Sequence, residues 1–295
     1  MKKTLALLLS AFLLVPAAGC AASPAPAETL SAVTDGPSPA TDGPSPETEA
    51  PPVTSEETKM PEKTYPRKIL FIGNSYTYVN DLPAAVAAIA KAEGRPLQVS
   101  SVTQGGQTLK FFNDPEKEKG KEALAAIASG GYDVVVLQEQ SLRPAVSTGL
   151  FLEAAASLCK KIRAAGAEPV FYATWGRKEG AAALEQYHLT NKTMTEKLLA
   201  AYRRAGEING AAVSPVGAAF YEIYTGHPGI ELYQSDGSHP SQAGTFLAAL
   251  TLYRVIFCET PQKSVAVAAQ NGVSRAAYEL FLTAAENAAE KDPLR

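Results

Sequence analysis

The chain has 295 residues, 46% of them hydrophobic and 19% charged, with a formal net charge of −3. That length suits one large domain, or two small ones, with appendages; three His and three Cys are too few for a clustered zinc site, so no metal is expected, and no cofactor is expected either. Residues 20–64 hold eight acidic residues against two lysines, leaving 23 basic and 22 acidic residues in 65–295. A domain so balanced offers no basic face for nucleic acid, and nothing in it resembles a basic amphipathic membrane helix. It is expected to act as a monomer.

In chain order, residues 1–19 have a short basic start, an apolar stretch too short to stay as a membrane span, and a run of small residues. They read as a secretion signal. Ala17-Ala18-Gly19-Cys20 resembles the bacterial lipobox, with Ala17 where Leu is usual. The resemblance implies lipidation of Cys20 and anchoring on the extracytoplasmic face of a bacterial membrane. Residues 21–64 contain nine of the 21 prolines, no aromatic residue, and a tandem repeat, Thr34 to Ala40 and Thr41 to Glu47. Such a segment cannot bury enough apolar surface to offset its ordering entropy, and is expected to be a self-repelling tether.

From Tyr65 to Arg295, one domain is expected. Short β-branched runs at Lys68 to Gly73, Leu97 to Val102, Asp133 to Gln138, Glu168 to Thr174 and Ala212 to Val216 read as strands. Helical patterns lie near Leu82 to Glu93, Lys121 to Ser129, Leu150 to Ala165, Thr190 to Asn209, Ser241 to Phe257 and Ser274 to Glu290. The strands are apolar throughout, as when helices cover both sheet faces, which predicts a three-layer α/β/α sandwich on a mostly parallel five-stranded sheet. Cys159 and Cys258 fall in apolar helical patterns, where free thiols are expected.

Ligands of such sheets bind at the carboxyl ends of the strands, so the residues standing there carry the chemistry. Gly73-Asn74-Ser75-Tyr76-Thr77 follows the first strand. A Ser at such a turn can present its hydroxyl and N–H to the crevice, or simply cap the next helix. Gln104-Gly105-Gly106-Gln107-Thr108 follows the second, where paired glycines suit either an oxyanion donor or an ordinary tight turn. Gln138-Glu139-Gln140-Ser141 ends the third, bringing amides able to donate hydrogen bonds and a carboxylate. Trp175, the single Trp, follows the fourth, where it could stack on a sugar, line an acyl pocket or pack in the core. Ser235-Asp236-Gly237-Ser238-His239-Pro240 precedes a helix, and its Asp-x-x-His spacing lets the carboxylate hold one imidazole nitrogen while the other faces a nucleophile.

Together these segments, in this order, resemble the SGNH or GDSL-like esterases and lipases, over residues 68 to about 257. The resemblance implies a flavodoxin-like sandwich and a Ser75, His239, Asp236 triad. It also implies an oxyanion hole from Ser75, Gly106 and an amide of Gln140 or Gln138. Asn74, Glu139 and Trp175 become candidates for contacting substrate. Asn74 departs from the family's usual Asp. The third motif departs further, with Leu-Gln-Glu-Gln-Ser replacing Gly-x-Asn-Asp, a form that looks like a branch of bacterial SGNH-like proteins. The expected activity is hydrolysis of a small acyl ester or an acylated glycan. A glycan-binding lipoprotein and an acyltransferase are the alternatives.

Overall fold

The computed structural model describes residues Thr64–Glu290. The segments expected to form the secretion signal, the lipidated Cys20 and the tether, up to residue 63, lie outside the described residues. Five strands form one sheet: β1 (Lys68–Gly73), β2 (Gln98–Thr103), β3 (Val134–Leu137), β4 (Glu168–Tyr172) and β5 (Ala212–Ser214). The order is β2-β1-β3-β4-β5 and every pairing is parallel. The structure thus bears out an α/β sandwich, with a sheet parallel throughout.

The apolar character of β1 follows from its place in the sheet. Ile69 and Phe71 pack into one core with α1 (Leu82–Ala92), while Leu70 and Ile72 pack into another with α2 (Glu118–Ala128), α3 (Thr148–Ala164) and α4 (Asn191–Asn209). On the first face α1 is joined by α5 (Val216–Gly226), α6 (Gln242–Phe257) and α7 (Arg275–Glu290). Both faces of the strand are therefore dry, which removes any selection for alternation. At the sheet edge β2 reads Gln-Val-Ser-Ser-Val-Thr and leaves Gln98 and Ser101 exposed.

All predicted strands and long helices are present within a few residues of their expected ends. Helix α5 was not expected. Glycines bracket its apolar run, and Gly217 obscures the helical signal, yet a Cβ there would lie 2.3 Å from the Thr174 carbonyl oxygen. Glycine lets α5 begin hard against the end of β4. Cys159 is a buried free thiol, with burial pushing its pKa to about 12. Cys258 differs from expectation: it is disulfide-bonded. It stands not within α6 but at its C-cap, in a left-handed conformation (φ 53°) and only partly buried, with its Sγ 3.6 Å from the Val255 carbonyl.

Candidate active site

In a sheet of this order the connections from β1 and β3 leave in opposite directions, opening a crevice at their carboxyl ends. The segments singled out in the sequence converge there. After Gly73 the chain turns at Asn74 and starts a single helical turn, Ser75–Tyr78. Asn74 Oδ1 accepts from the Tyr76 N–H at 3.2 Å, and its backbone N–H donates to Gln138 Oε1 at 2.8 Å. Thr77 Oγ1 donates to the same Gln138 oxygen at 2.9 Å.

This closeness depends on Gly73, where a Cβ would meet Thr77 Oγ1 at 2.4 Å and Gln138 Oε1 at 2.6 Å. Gly73→Ala should therefore cost about 2–5 kcal/mol through overpacking and a broken buried hydrogen bond. A denaturation midpoint unchanged from the parent would show that the turn yields freely.

The Asp-x-x-His segment lies opposite. His239 Nε2 is 2.8 Å from Ser75 Oγ, and His239 Nδ1 is 2.5 Å from Asp236 Oδ2. The other carboxylate oxygen, Oδ1, accepts from the backbone N–H groups of Ser238 and His239 at 2.9 and 3.0 Å. Partial burial alone would raise the Asp236 carboxyl. Hydrogen bonds from the His239 ring and those two backbone groups outweigh it and hold the group below the ordinary aspartate range. An ionised Asp236 favours the tautomer with its proton on Nδ1, leaving Nε2 to accept the Ser75 proton.

The loop bearing the pair is fixed from beneath by aromatic side chains. Trp175 lies between Tyr76 and Phe220, with centroids at 4.7 and 4.0 Å and planes within 6° of parallel. Its Nε1 donates to the Ser238 carbonyl at 3.1 Å, and the Tyr76 and Ser238 hydroxyls are 2.8 Å apart. Tyr76 also meets the His239 imidazole edge-on at 5.7 Å. Asn80 Nδ2 binds the Pro240 carbonyl and Thr245 Oγ1 at 3.0 and 2.9 Å, closing the far side of the loop. Tyr76 and Asn80 were missed in the sequence. Nothing in their local pattern reports partners more than 150 positions away.

Several candidate roles change. Trp175 is fully buried, its faces covered by two rings, so it cannot stack on a sugar. Gln138 is also fully buried, with its Oε1 engaged twice and its Nε2 donating to the Glu139 carbonyl, so its amide is spent inside the protein rather than on an oxyanion. Glu139 is buried and accepts from Leu109 N–H and Gln140 N–H, which removes it from substrate contact. Asn74 is 2% exposed and uses its Nδ2 on the Gln107 carbonyl at 3.0 Å. It shapes the turn and presents no face to substrate. In each case the short polar run at a strand end is claimed by neighbouring loops whose buried N–H and C=O groups need partners.

Three donors keep their freedom. The Ser75 N–H stands at a helix start, and the Gly106 N–H lies in an exposed turn with φ +69°. Neither has an acceptor among the described residues. Gln140 is half-buried. Its Oε1 accepts from Leu142 and Arg143 N–H at 2.9 and 3.0 Å, while its Nε2 has no acceptor among the described residues. Arg177, also unforeseen, donates from Nη2 to Ser141 Oγ at 3.3 Å beside this loop. Among the described residues no three His, Cys, Asp or Glu side chains group as a metal site.

Neither a protein-family model nor a curated protein sequence matches the chain. Solved structures do. A candidate SGNH hydrolase from Slackia heliotrinireducens is 35% identical, with a TM-score of 0.58, over 64% of this chain and 98% of that one. The chain belongs to the SGNH/GDSL-like hydrolase superfamily. A DUF4886-family protein from Bacteroides uniformis shares this SGNH fold at 19% identity and a TM-score of 0.58, over 76% of this chain and 95% of that one. Membership makes a hydrolase of the chain at the level of the family.

Proposed function

We propose that the protein is an exported, membrane-tethered serine esterase that removes short acyl groups, acetyl above all, from carbohydrate or cell-envelope glycan. The observation that carries the reading is the contact of Ser75 Oγ with His239 Nε2 at 2.8 Å, backed by His239 Nδ1 and Asp236 Oδ2 at 2.5 Å. In this mechanism His239 takes the Ser75 proton as Oγ attacks the ester carbonyl. The N–H groups of Ser75 and Gly106 and the Gln140 amide receive the developing oxyanion. Collapse expels the alcohol with the proton from His239. A water activated by the same imidazole then releases the carboxylic acid and restores Ser75. Asp236 orients the ring and stabilises its protonated form.

The export-type leader and the tether support a substrate outside the cell, and lipidation of Cys20 would hold the enzyme at a membrane. Trp175, packed in the core, lends no support to a sugar site. A series of p-nitrophenyl esters from acetyl to decanoyl, run beside acetylated xylan and acetylated sialic acid, should give the highest kcat/KM at acetyl, with acetate released from at least one glycan. A maximum at long chains would replace the glycan reading by a lipid one. Glycan binding without acetate release would support a binding module, and transfer of acetyl to an added sugar would support an acyltransferase. Asp236→Asn should lower kcat by about 10³–10⁴, the size of effect seen when a triad imidazole loses its orienting carboxylate. Circular dichroism should be unchanged, and an undiminished kcat would remove Asp236 from the mechanism.

A further inference from the structure

The third motif, Gln138-Glu139-Gln140, departs most from the family pattern, and its middle residue is a fully buried carboxylate with no part in the chemistry above. Glu139 Oε1 accepts from the Gln140 N–H at 2.6 Å, and its Oε1 and Oε2 lie 3.3 and 3.2 Å from the Leu109 nitrogen. Leu109 opens the short helix Leu109–Phe112, capped by Thr108, directly after the Gly105-Gly106 turn. One carboxylate therefore touches the chain three residues beyond Gly106 and the backbone of Gln140 itself. Gln138, its neighbour, holds the Ser75 turn through Asn74 and Thr77.

We propose that Glu139 is a positioning residue: its carboxylate clamps the Gly106 loop to the Gln140 loop and so fixes the spacing of two of the three oxyanion donors. The proposal rests on the esterase reading for its catalytic consequence. A carboxylate fits this place chemically, because both neighbours are N–H donors and it offers only acceptors. Burial pushes its pKa up to about 7, against the opposing pull of the Gln140 and Leu109 N–H groups and of Arg143. The other titratable group against it is Tyr202, whose hydroxyl accepts from the Glu139 N–H at 3.0 Å. Ionisation of Glu139 as the pH rises through about 7 completes the clamp, and protonation below it converts one acceptor into a donor with no acceptor facing it.

The test compares Glu139→Gln with the parent, using p-nitrophenyl acetate. Gln keeps the size but turns one oxygen into an N–H₂ group facing an N–H. We expect kcat per titrated active site to fall about 10–10²-fold, with KM within threefold, because a displaced donor costs somewhat less than an absent one. The inhibition constant of a boronic acid, which forms a tetrahedral adduct on the serine, should rise by the same factor. As the pH falls through about 7, log kcat should fall more steeply in the parent than in Glu139→Gln, because only the parent loses the clamp on protonation. Unchanged kcat per active site and unchanged boronate affinity in a folded variant would overturn the proposal, even if the melting temperature fell. Should Glu139→Gln fail to fold, Glu139→Asp, which keeps the charge but shortens the reach, is expected to show the same paired losses, and normal values there would overturn it. If the parent hydrolyses no ester, the esterase reading fails by itself. The clamp is then judged by hydrogen exchange at the Leu109 and Gln140 amides, expected to quicken in either variant. Unchanged exchange overturns it.

Discussion

Ser75→Ala is expected to lower kcat on p-nitrophenyl acetate by on the order of 10⁴–10⁶, the size of loss when a triad serine is removed. The fold should hardly notice. Among the described residues the one hydrogen bond of the Ser75 side chain is with His239 Nε2, and the turn around it is fixed through Asn74, Thr77 and Gln138. His239 keeps its bond to Asp236 and remains about a third exposed, so its freed nitrogen can find water. Stability should therefore change by less than about 1 kcal/mol. The oxyanion donors survive in the variant, since the residue 75 N–H belongs to the backbone, so a small rate above the uncatalysed reaction should persist. Turnover equal to the parent's would sink the nucleophile assignment. The three bonded side chains act as one unit, so adding Asp236→Asn to Ser75→Ala should bring little further loss.

Trp175→Ala should be the most damaging single change to stability near the site. The indole is fully buried between Tyr76 and Phe220, and its removal leaves a cavity under the His239 loop and an unpaired Ser238 carbonyl. Truncations of this kind cost about 3–5 kcal/mol. For a domain of this size that lowers the melting temperature by about 10 °C. Trp175→Phe separates the two contributions, since it keeps a stacking ring and loses only the N–H, at about 1–2 kcal/mol. A ring acting from beneath the loop should change kcat and stability and leave the KM for an acetylated glycan alone. A raised KM with an unchanged melting temperature would return Trp175 to the substrate surface.

Much of the architecture was legible because its signals are local. A strand covered on both faces must be apolar along its covered length, and residues 69–72 of β1 and Val134–Leu137 are so in the sequence itself. The Asp236 and His239 pairing was equally legible. A separation of three residues on a tight loop brings carboxylate and ring together whatever else the chain does. Ser75 could be named only through the resemblance of the whole set of segments, since its place after a strand equally suits a helix cap. Helix α5 was not legible, since the closeness of Gly217 to the Thr174 carbonyl is a property of the packed molecule.

The polar run after β3 marks the boundary most clearly. From sequence, Gln138 and Gln140 are alternative oxyanion donors and Glu139 a candidate for substrate contact at the same strand end, and Trp175 is as much a rim residue as a core one. The amino-acid order by itself determined the alternation of strand and helix, the strand ends where polar residues collect, and the Asp-x-x-His pair, because each depends on neighbours a few residues apart. Only the tertiary structure decided which way each of those polar side chains is spent. Gln138 turns to Asn74 and Thr77, Glu139 to Leu109, and Trp175 to Ser238, partners between 30 and 64 positions away. A buried hydrogen-bonding group must be satisfied by whatever the fold brings beside it, and no short-range pattern records that.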